Sequence, residues 1–424
     1  MNEKLLHFIW KLKLFSIKNL EATNGDKIHI ISTGIHNLNT GPDFLNAKIE
    51  IANQVWAGNV EIHINSSDWY KHRHETDTNY DAVILHVVWE HDVEIFRKNN
   101  VEITTLELKK YISKDLLNKY NQLFSKNKKW INCENEIASI DSFIFENWIE
   151  RLYFERLVQK SEFINNTLQV NNNNWEATLF ILLAKSFGLK VNGDAFLNFA
   201  TSFDFSIVRK VSNNKEQLEA LFFGQAGLLA NENESVYFQQ LKKEYEYLKV
   251  KFNLKPISNG QVQFFRLRPN NFPTIRLSQL VFLYNKYQNL FSKIIEIDTI
   301  ELFYSLFKVS TLPYWETHFT FEKESKKRSK KLTQSFIDLI LINTIIPLKF
   351  VYLKSLGKND FSSLFAILEQ IKPEKNTIVS NFNTLKVKSP NAFKTQALLQ
   401  LKNEYCSKQL CLQCAIGKTV LNKR

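Results

Sequence analysis

The sequence predicts an α+β chain: a mixed β-sheet module with flanking helices over residues 1–115, a linker over 116–139, and a mainly α-helical domain over 140–424. Three observations carry this expectation. Apolar residues alternate with a period of two in short segments up to about residue 108, which is the pattern of half-buried strands. From about Ile140 the apolar period changes to that of helices. A length of 424 residues also exceeds what one typical core organises.

In chain order, Leu5, Leu6, Phe8, Ile9, Leu12 and Phe15 recur at helical spacing and predict an amphipathic helix over 3–15. Gly25-Asp26 marks a turn into a strand over 27–32. A polar loop over 34–41 precedes a strand over 44–51, with Leu45, Ala47, Ile49 and Ile51 on one face. Ala52-Asn53 turns the chain into a third strand. There Val60, Ile62 and Ile64 oppose Glu61, His63 and Asn65. Residues 82–89 (AVILHVVW) are almost wholly apolar and predict a central strand covered on both faces. A last strand falls at 101–108. Helices follow at 141–166, 174–187, 193–202, 214–229, 234–252, 276–295, 298–309, 332–354, 360–371 and 391–405. A sub-boundary falls near 256–273, where prolines interrupt the pattern.

Hydrophobic content of 44% and charged content of 23% are those of a globular protein. No secretory signal is legible, and the apolar run 336–350 is interrupted by Asp338, Asn343, Pro347 and Lys349. The expectation is a cytoplasmic protein without a membrane span; its oligomeric state is not legible. The formal charge of +12 invites a nucleic-acid partner, although abundant Lys, Asn, Ile and Phe also read as a compositional bias.

The chemistry concentrates between Thr40 and His91. Glu61 and His63 leave one face of a strand, and Asp43 starts the preceding strand, so Asp43 can face Glu61 across the pair. Two convergent carboxylates suit Mg²⁺ or Mn²⁺, and His63 beside them could orient or deprotonate a water. Pro42-Asp43, a spacer, and Glu61-Ile62-His63 resemble the hallmark of the PD-(D/E)XK nuclease superfamily, with His63 where that family has lysine. The resemblance covers residues 1–110. It implies a restriction-endonuclease-like sheet and metal-dependent phosphodiester hydrolysis of nucleic acid, with Asp43, Glu61 and His63 catalytic. Alternatives are a nucleic-acid-binding or scaffold protein on an inactive nuclease fold, and a non-nuclease metal hydrolase.

The last alternative rests on the histidines. Eight of the nine precede residue 92, and His72, His74 and His86 follow His63 closely, with Asp68 and Asp77 between them. Such a set could bind Zn²⁺, Mn²⁺ or Fe²⁺, yet its spacing matches no standard zinc signature. His72 and His74 could instead contact phosphate as cations. His86, on an apolar strand, equally fits a hydrogen-bonded core position. His7 and His91 read as surface or packing residues.

Four cysteines do not make a disulfide framework. Cys406, Cys411 and Cys414 form a C-x₄-C-x₂-C cluster, and Cys133 could complete a four-thiolate site for zinc or an iron–sulfur cluster, as a staple rather than a reaction centre. In the helical domain, Arg266, Arg268 and Arg276 flank Pro269 and Pro273. They read either as an anion-binding turn that helps place phosphates or as salt-bridging residues. The basic run 326–331 reads as a phosphate contact or a solvated loop. The phrases GPDFLNAKIEI, GNVEIH, SSDWYKHRH, YDAVILHVV, FFRLRPNNFPTIRLSQL and YCSKQLCLQCAIG together resemble the uncharacterised domain-of-unknown-function family 2851, which implies a shared two-part architecture and assigns no activity.

Overall fold

In the computed structural model, residues 1–125 and 129–422 are described; residues 126–128 of the expected linker lie outside the described residues. Contacts group the chain into two units. The first is Met1–Trp148 with Leu385–Val387 and Leu401–Arg424, and the second is Ile149–Thr384 with Lys388–Gln400. The boundary therefore falls a little beyond the expected residue 140. The cysteine-bearing C-terminus groups with the first unit, not with the helical domain to which the sequence assigns it.

The first unit is a mixed sheet with helices against it. Helix α1 (Glu3–Lys11) is capped by the Asn2 side chain, which accepts from the Leu5 amide, and buries Leu5, Leu6, Phe8, Ile9 and Trp10. It stops short of the expected residue 15 because Lys13 turns left-handed at φ 51°. The strands are β1 (Leu20–Glu21), β2 (Lys27–Ser32), β3 (Ile35–His36), β4 (Phe44–Ile51), β5 (Gln54–Asn65), β6 (Val83–Glu90) and β7 (Thr105–Glu107). Their order is β1-β2-β4-β5-β6-β7, with β3 pairing β4. Pairs up to β4–β5 are antiparallel, whereas β5–β6 and β6–β7 are parallel.

Two local features set the register. Ala52 and Asn53 both have positive φ, 52° and 66°, which makes a tight two-residue hairpin between β4 and β5. Further along, Asn46 turns to φ 56° where the β4–β5 register shifts, and its amide donates to the Asn59 side chain. This irregularity brings the start of β4 opposite Glu61. β6 is the expected central strand, with Val83, Leu85, His86, Val87 and Val88 all buried. The parallel crossover from β5 to β6 runs through the short helix α2 (Asp68–Lys71) and two 3₁₀ turns, His74–Thr76 and Thr78–Tyr80. Trp69 and Tyr80 of this crossover pack on Val83, Ile95 and Ile103.

The second unit is helical, with Trp175–Phe187, Leu189–Thr201, Lys215–Gln225, Val236–Phe252 and Pro273–Lys286 among its main elements. The single helix expected over 276–295 is two, Pro273–Lys286 and Leu290–Glu296. Buried Glu176 causes the break: its carboxylate accepts the Phe291 amide at 2.9 Å from each oxygen and caps the second helix from a distant part of the chain. The run Gln334–Ser355 is long and apolar enough to cross a membrane by composition, with mean hydropathy 1.8. It is 72% buried inside the protein, which is the burial of a core helix.

Candidate metal centre

The site forms where the start of β4, the end of β5 and the β5–β6 crossover meet. Two backbone amides hold the carboxylates. The Asp43 amide donates to Glu61 Oε2 at 3.1 Å, and the Ile62 amide donates to Asp43 Oδ2 at 2.9 Å. Glu61 and His63 are 5% and 1% exposed. The crossover then returns His72 and His74 toward β5. Arg73 between them has φ 61°, so neither strand nor helix spacing governs the pair.

Three imidazole nitrogens converge, with Glu61 Oε1 beside two of them. His63 Nε2 lies 3.1 Å from His72 Nδ1 and 3.4 Å from Glu61 Oε1. His74 Nε2 lies 3.3 Å from the same Glu61 oxygen. One nitrogen from each of His63, His72 and His74 falls within 4.8 Å of the others. Bonds of 2.0–2.1 Å to a tetrahedral ion place neighbouring ligands about 3.3 Å apart, so the three measured separations match such a set. The surrounding packing fixes the rings. His74 stacks on Tyr80 at 3.7 Å between centroids, Trp69 meets both His74 and His86 edge-on, and His63 Nδ1 lies 2.8 Å from His86 Nε2. When Nδ1–H of His63 donates to His86, Nε2 of His63 carries the lone pair, which faces His72 Nδ1 at hydrogen-bond distance.

The electrostatics fit an ion at this point. Burial drives His63 down to about 3, helped by the neighbouring His74 and His72. Burial likewise lowers His74 and holds His86 well below its ordinary value. The imidazoles of His63, His74 and His86 are therefore in the neutral form. Burial and then the Asp43 charge push Glu61 up to about 9. The short Glu61–imidazole approaches are thus contacts between neutral groups rather than ion pairs. His74 Nε2 is buried without a hydrogen-bond partner.

His7 is a site residue that sequence reasoning placed at the surface or in packing. Its Nε2 lies 3.2 Å from Asp43 Oδ2. Burial lowers its pKa, but the Asp43 carboxylate beside it outweighs this and leaves it raised. Glu3 and His7 sit four apart on α1 and share the face turned toward Asp43, a helical signal the sequence contained. His86 is the hydrogen-bonded core residue of the two alternatives. Asp68 and Asp77 are engaged in turns: Asp68 accepts the Asn65 amide and the Lys71 ammonium, and Asp77 accepts the Asn79 amide.

The four cysteines are free and line one small cavity of about 10 Å³ in the first unit. Burial raises all four thiols, Cys406 to about 12 and Cys414 to about 11. N–H groups point at the sulfurs: the Asn132 amide donates to Cys411 at 3.4 Å, and the backbone amides of Ile416 and Gly417 donate to Cys414. Gly417 is required there, because a Cβ would come within 2.2 Å of the Cys411 carbonyl oxygen. Arg266, Arg268 and Arg276 belong to the helical unit. Arg266 and Arg268 are exposed, and Arg276 is buried.

A mixed-sheet unit bearing a buried histidine–carboxylate cluster, joined in sequence to a helical unit, defines the class of protein. The chain belongs to the family described as Protein of unknown function (DUF2851), whose model matches residues 3–377. The match contains the whole histidine–carboxylate cluster and Cys133, and ends before Cys406. No curated protein and no solved structure matches the chain.

Proposed function

We propose that the first unit is a metal-dependent hydrolase of phosphodiesters, with nucleic acid as the substrate class. His63, His72, His74 and Glu61 hold a divalent transition metal. The observation that carries this reading is the convergence of three imidazole nitrogens, with the Glu61 carboxylate beside those of His63 and His74. Zn²⁺, Mn²⁺ or Fe²⁺ held there would supply the Lewis acidity that activates water and polarises a phosphoryl oxygen. The neutral imidazoles of His63 and His74 present their lone pairs without a desolvation penalty for charge, and His86 fixes the ring of His63. His72, the exposed member, leaves the solvent side of the site open to substrate. Asp43, held by the Ile62 amide and beside His7, is positioned to accept a proton from water, and His7 to return one to the leaving oxygen. The net charge of +12 supports a polyanionic substrate.

The closeness of Asp43 and Glu61 supports a second reading, in which the two carboxylates hold Mg²⁺ or Mn²⁺ and His63 orients water, as the resemblance to PD-(D/E)XK nucleases implies. One assay separates the two. Purified protein is incubated with single- and double-stranded DNA and RNA in Zn²⁺, Mn²⁺ or Mg²⁺. The transition-metal reading predicts cleavage that disappears in both His72→Ala and His74→Ala. Mg²⁺-dependent cleavage lost in Asp43→Ala and Glu61→Ala but kept in His72→Ala and His74→Ala supports the two-carboxylate site. Binding without cleavage under every condition supports a scaffold. We further propose that Cys133, Cys406, Cys411 and Cys414 hold one Zn²⁺ as a staple. A visible absorption band with bound iron would instead assign an iron–sulfur cluster.

A further inference from the structure

We propose that the helical unit contains a phosphate-binding cavity at the N-terminus of the Pro273–Lys286 helix, built by Arg268, Arg276, Arg328 and Lys331. The cavity, about 400 Å³, brings together the two basic segments that are separate in sequence, near 268–276 and near 328–331. Five of its lining residues carry positive charge, the fifth being Lys330, and none carries a carboxylate.

Arg276 makes the strongest case. It is 6% exposed, and among the described residues no carboxylate pairs with it. Its guanidinium donates instead to two neutral amides, Gln279 Oε1 at 2.9 Å and Asn271 Oδ1 at 2.6 Å, and lies 3.5 Å over the Phe336 ring. Its Nε is buried with no hydrogen-bond partner. A buried cation without a counter-ion is costly, and a fold that retains one while bracing it on neutral groups is prepared for an anion from outside. Lys330 is handled the same way: only 5% exposed, its ammonium donates to the carbonyl oxygens of Trp315 and His318. Arg328 donates to Asn270 at 2.6 Å, again a neutral amide, and thereby ties the two basic segments together. Shape is fixed by neutral partners; Glu316 acts on Lys330 from nearby, while Arg276 keeps no counter-charge.

The helix adds its own contribution. The Pro273–Lys286 helix is 14 residues long, begins with proline, and has no side-chain cap at Phe272. Its positive end opens beside Asn271 and Ile275, which line the cavity. A volume of this size admits a phosphate together with a group as large as a nucleoside. The ligand class is therefore a phosphate monoester or diphosphate, carried by a small molecule or by the end of a nucleic-acid strand. This cavity lies in the second unit and uses none of the metal-centre residues, so it stands apart from the proposed hydrolysis.

Isothermal titration of the full chain tests it, with inorganic pyrophosphate, adenosine 5′-monophosphate, and an oligonucleotide bearing either a 5′-phosphate or a 5′-hydroxyl. Saturable one-site binding is expected, weakened at least tenfold in Arg268→Gln and in Arg328→Gln. Both residues are exposed, so these variants fold even if Arg276→Gln does not. His72→Ala is expected to bind adenosine 5′-monophosphate as the wild type does. Tighter binding of the monophosphate assigns a nucleotide, tighter binding of pyrophosphate a free phosphate, and preference for the 5′-phosphorylated strand a nucleic-acid end; each supports the cavity. No saturable binding of any probe, binding unchanged in both arginine variants, or an oligonucleotide bound equally with either end while the small probes fail, overturns it.

Discussion

Glu219 offers a quantitative test of how burial sets charge in this fold. It lies on Lys215–Gln225, is 1% exposed, and accepts hydrogen bonds from Trp315 Nε1 at 2.5 Å and from the Tyr237 hydroxyl. Burial raises its pKa from the ordinary 4.5 to about 7, against the pull of those two donors. The folded pKa is raised, so the group's contribution to stability is fully present below about pH 4.5 and is lost as pH rises through about 7. Over that window the loss amounts to about 3 kcal/mol. Glu219→Gln keeps the shape, accepts from Trp315 and donates to Tyr237, but does not titrate. Urea unfolding of wild type and variant at pH 4.5 and pH 8 measures the difference. The variant is expected to match the wild type at the lower pH and to exceed it by about 2–3 kcal/mol at the higher one. A gap that is the same at both pH values would refute the reasoning. The contrast with Glu61 is instructive. Both carboxylates are buried and raised, but Glu219 meets two hydrogen-bond donors, whereas Glu61 faces His63 and His74 with neither imidazole hydrogen-bonded to it.

Other predictions follow from single contacts. His86→Phe removes the partner of His63 Nδ1 without touching a ligand, so metal affinity, measured by competition with a chromogenic chelator, should fall about 10- to 100-fold. Gly58→Ala should destabilise the first unit by about 1–3 kcal/mol in thermal unfolding, because a Cβ there comes within 2.4 Å of Ile84 and 2.6 Å of the Ala82 carbonyl oxygen. Cys133→Ser should lower both bound metal and the melting temperature. An unchanged metal content in that variant would remove Cys133 from the staple.

Much of the sheet was legible because local pattern and tertiary burial agree in β2, β4 and β6. Asp43, Glu61 and His63 were legible for the same reason, since their placement follows from strand alternation and one hairpin. His72 and His74 stood out as chemistry but not as geometry. The left-handed Arg73 gives them a spacing that no periodicity describes. His7 was missed because it reaches the site from α1, and a lone histidine on an amphipathic helix looks like packing. The break at Tyr287–Asn289 was illegible because Glu176, more than a hundred residues away, caps the following helix. The return of 401–424 to the first unit had one sequence signal, the need of three clustered cysteines for a fourth.

The measurement that bears most directly on the central claim is metal stoichiometry of the full chain after zinc loading and exhaustive dialysis, compared between wild type and His72→Ala/His74→Ala. The account predicts two ions per chain in the wild type, one at the histidine–carboxylate cluster and one at the cysteines, and one ion in the double variant. The same content in both proteins, with folding intact by circular dichroism, would contradict it.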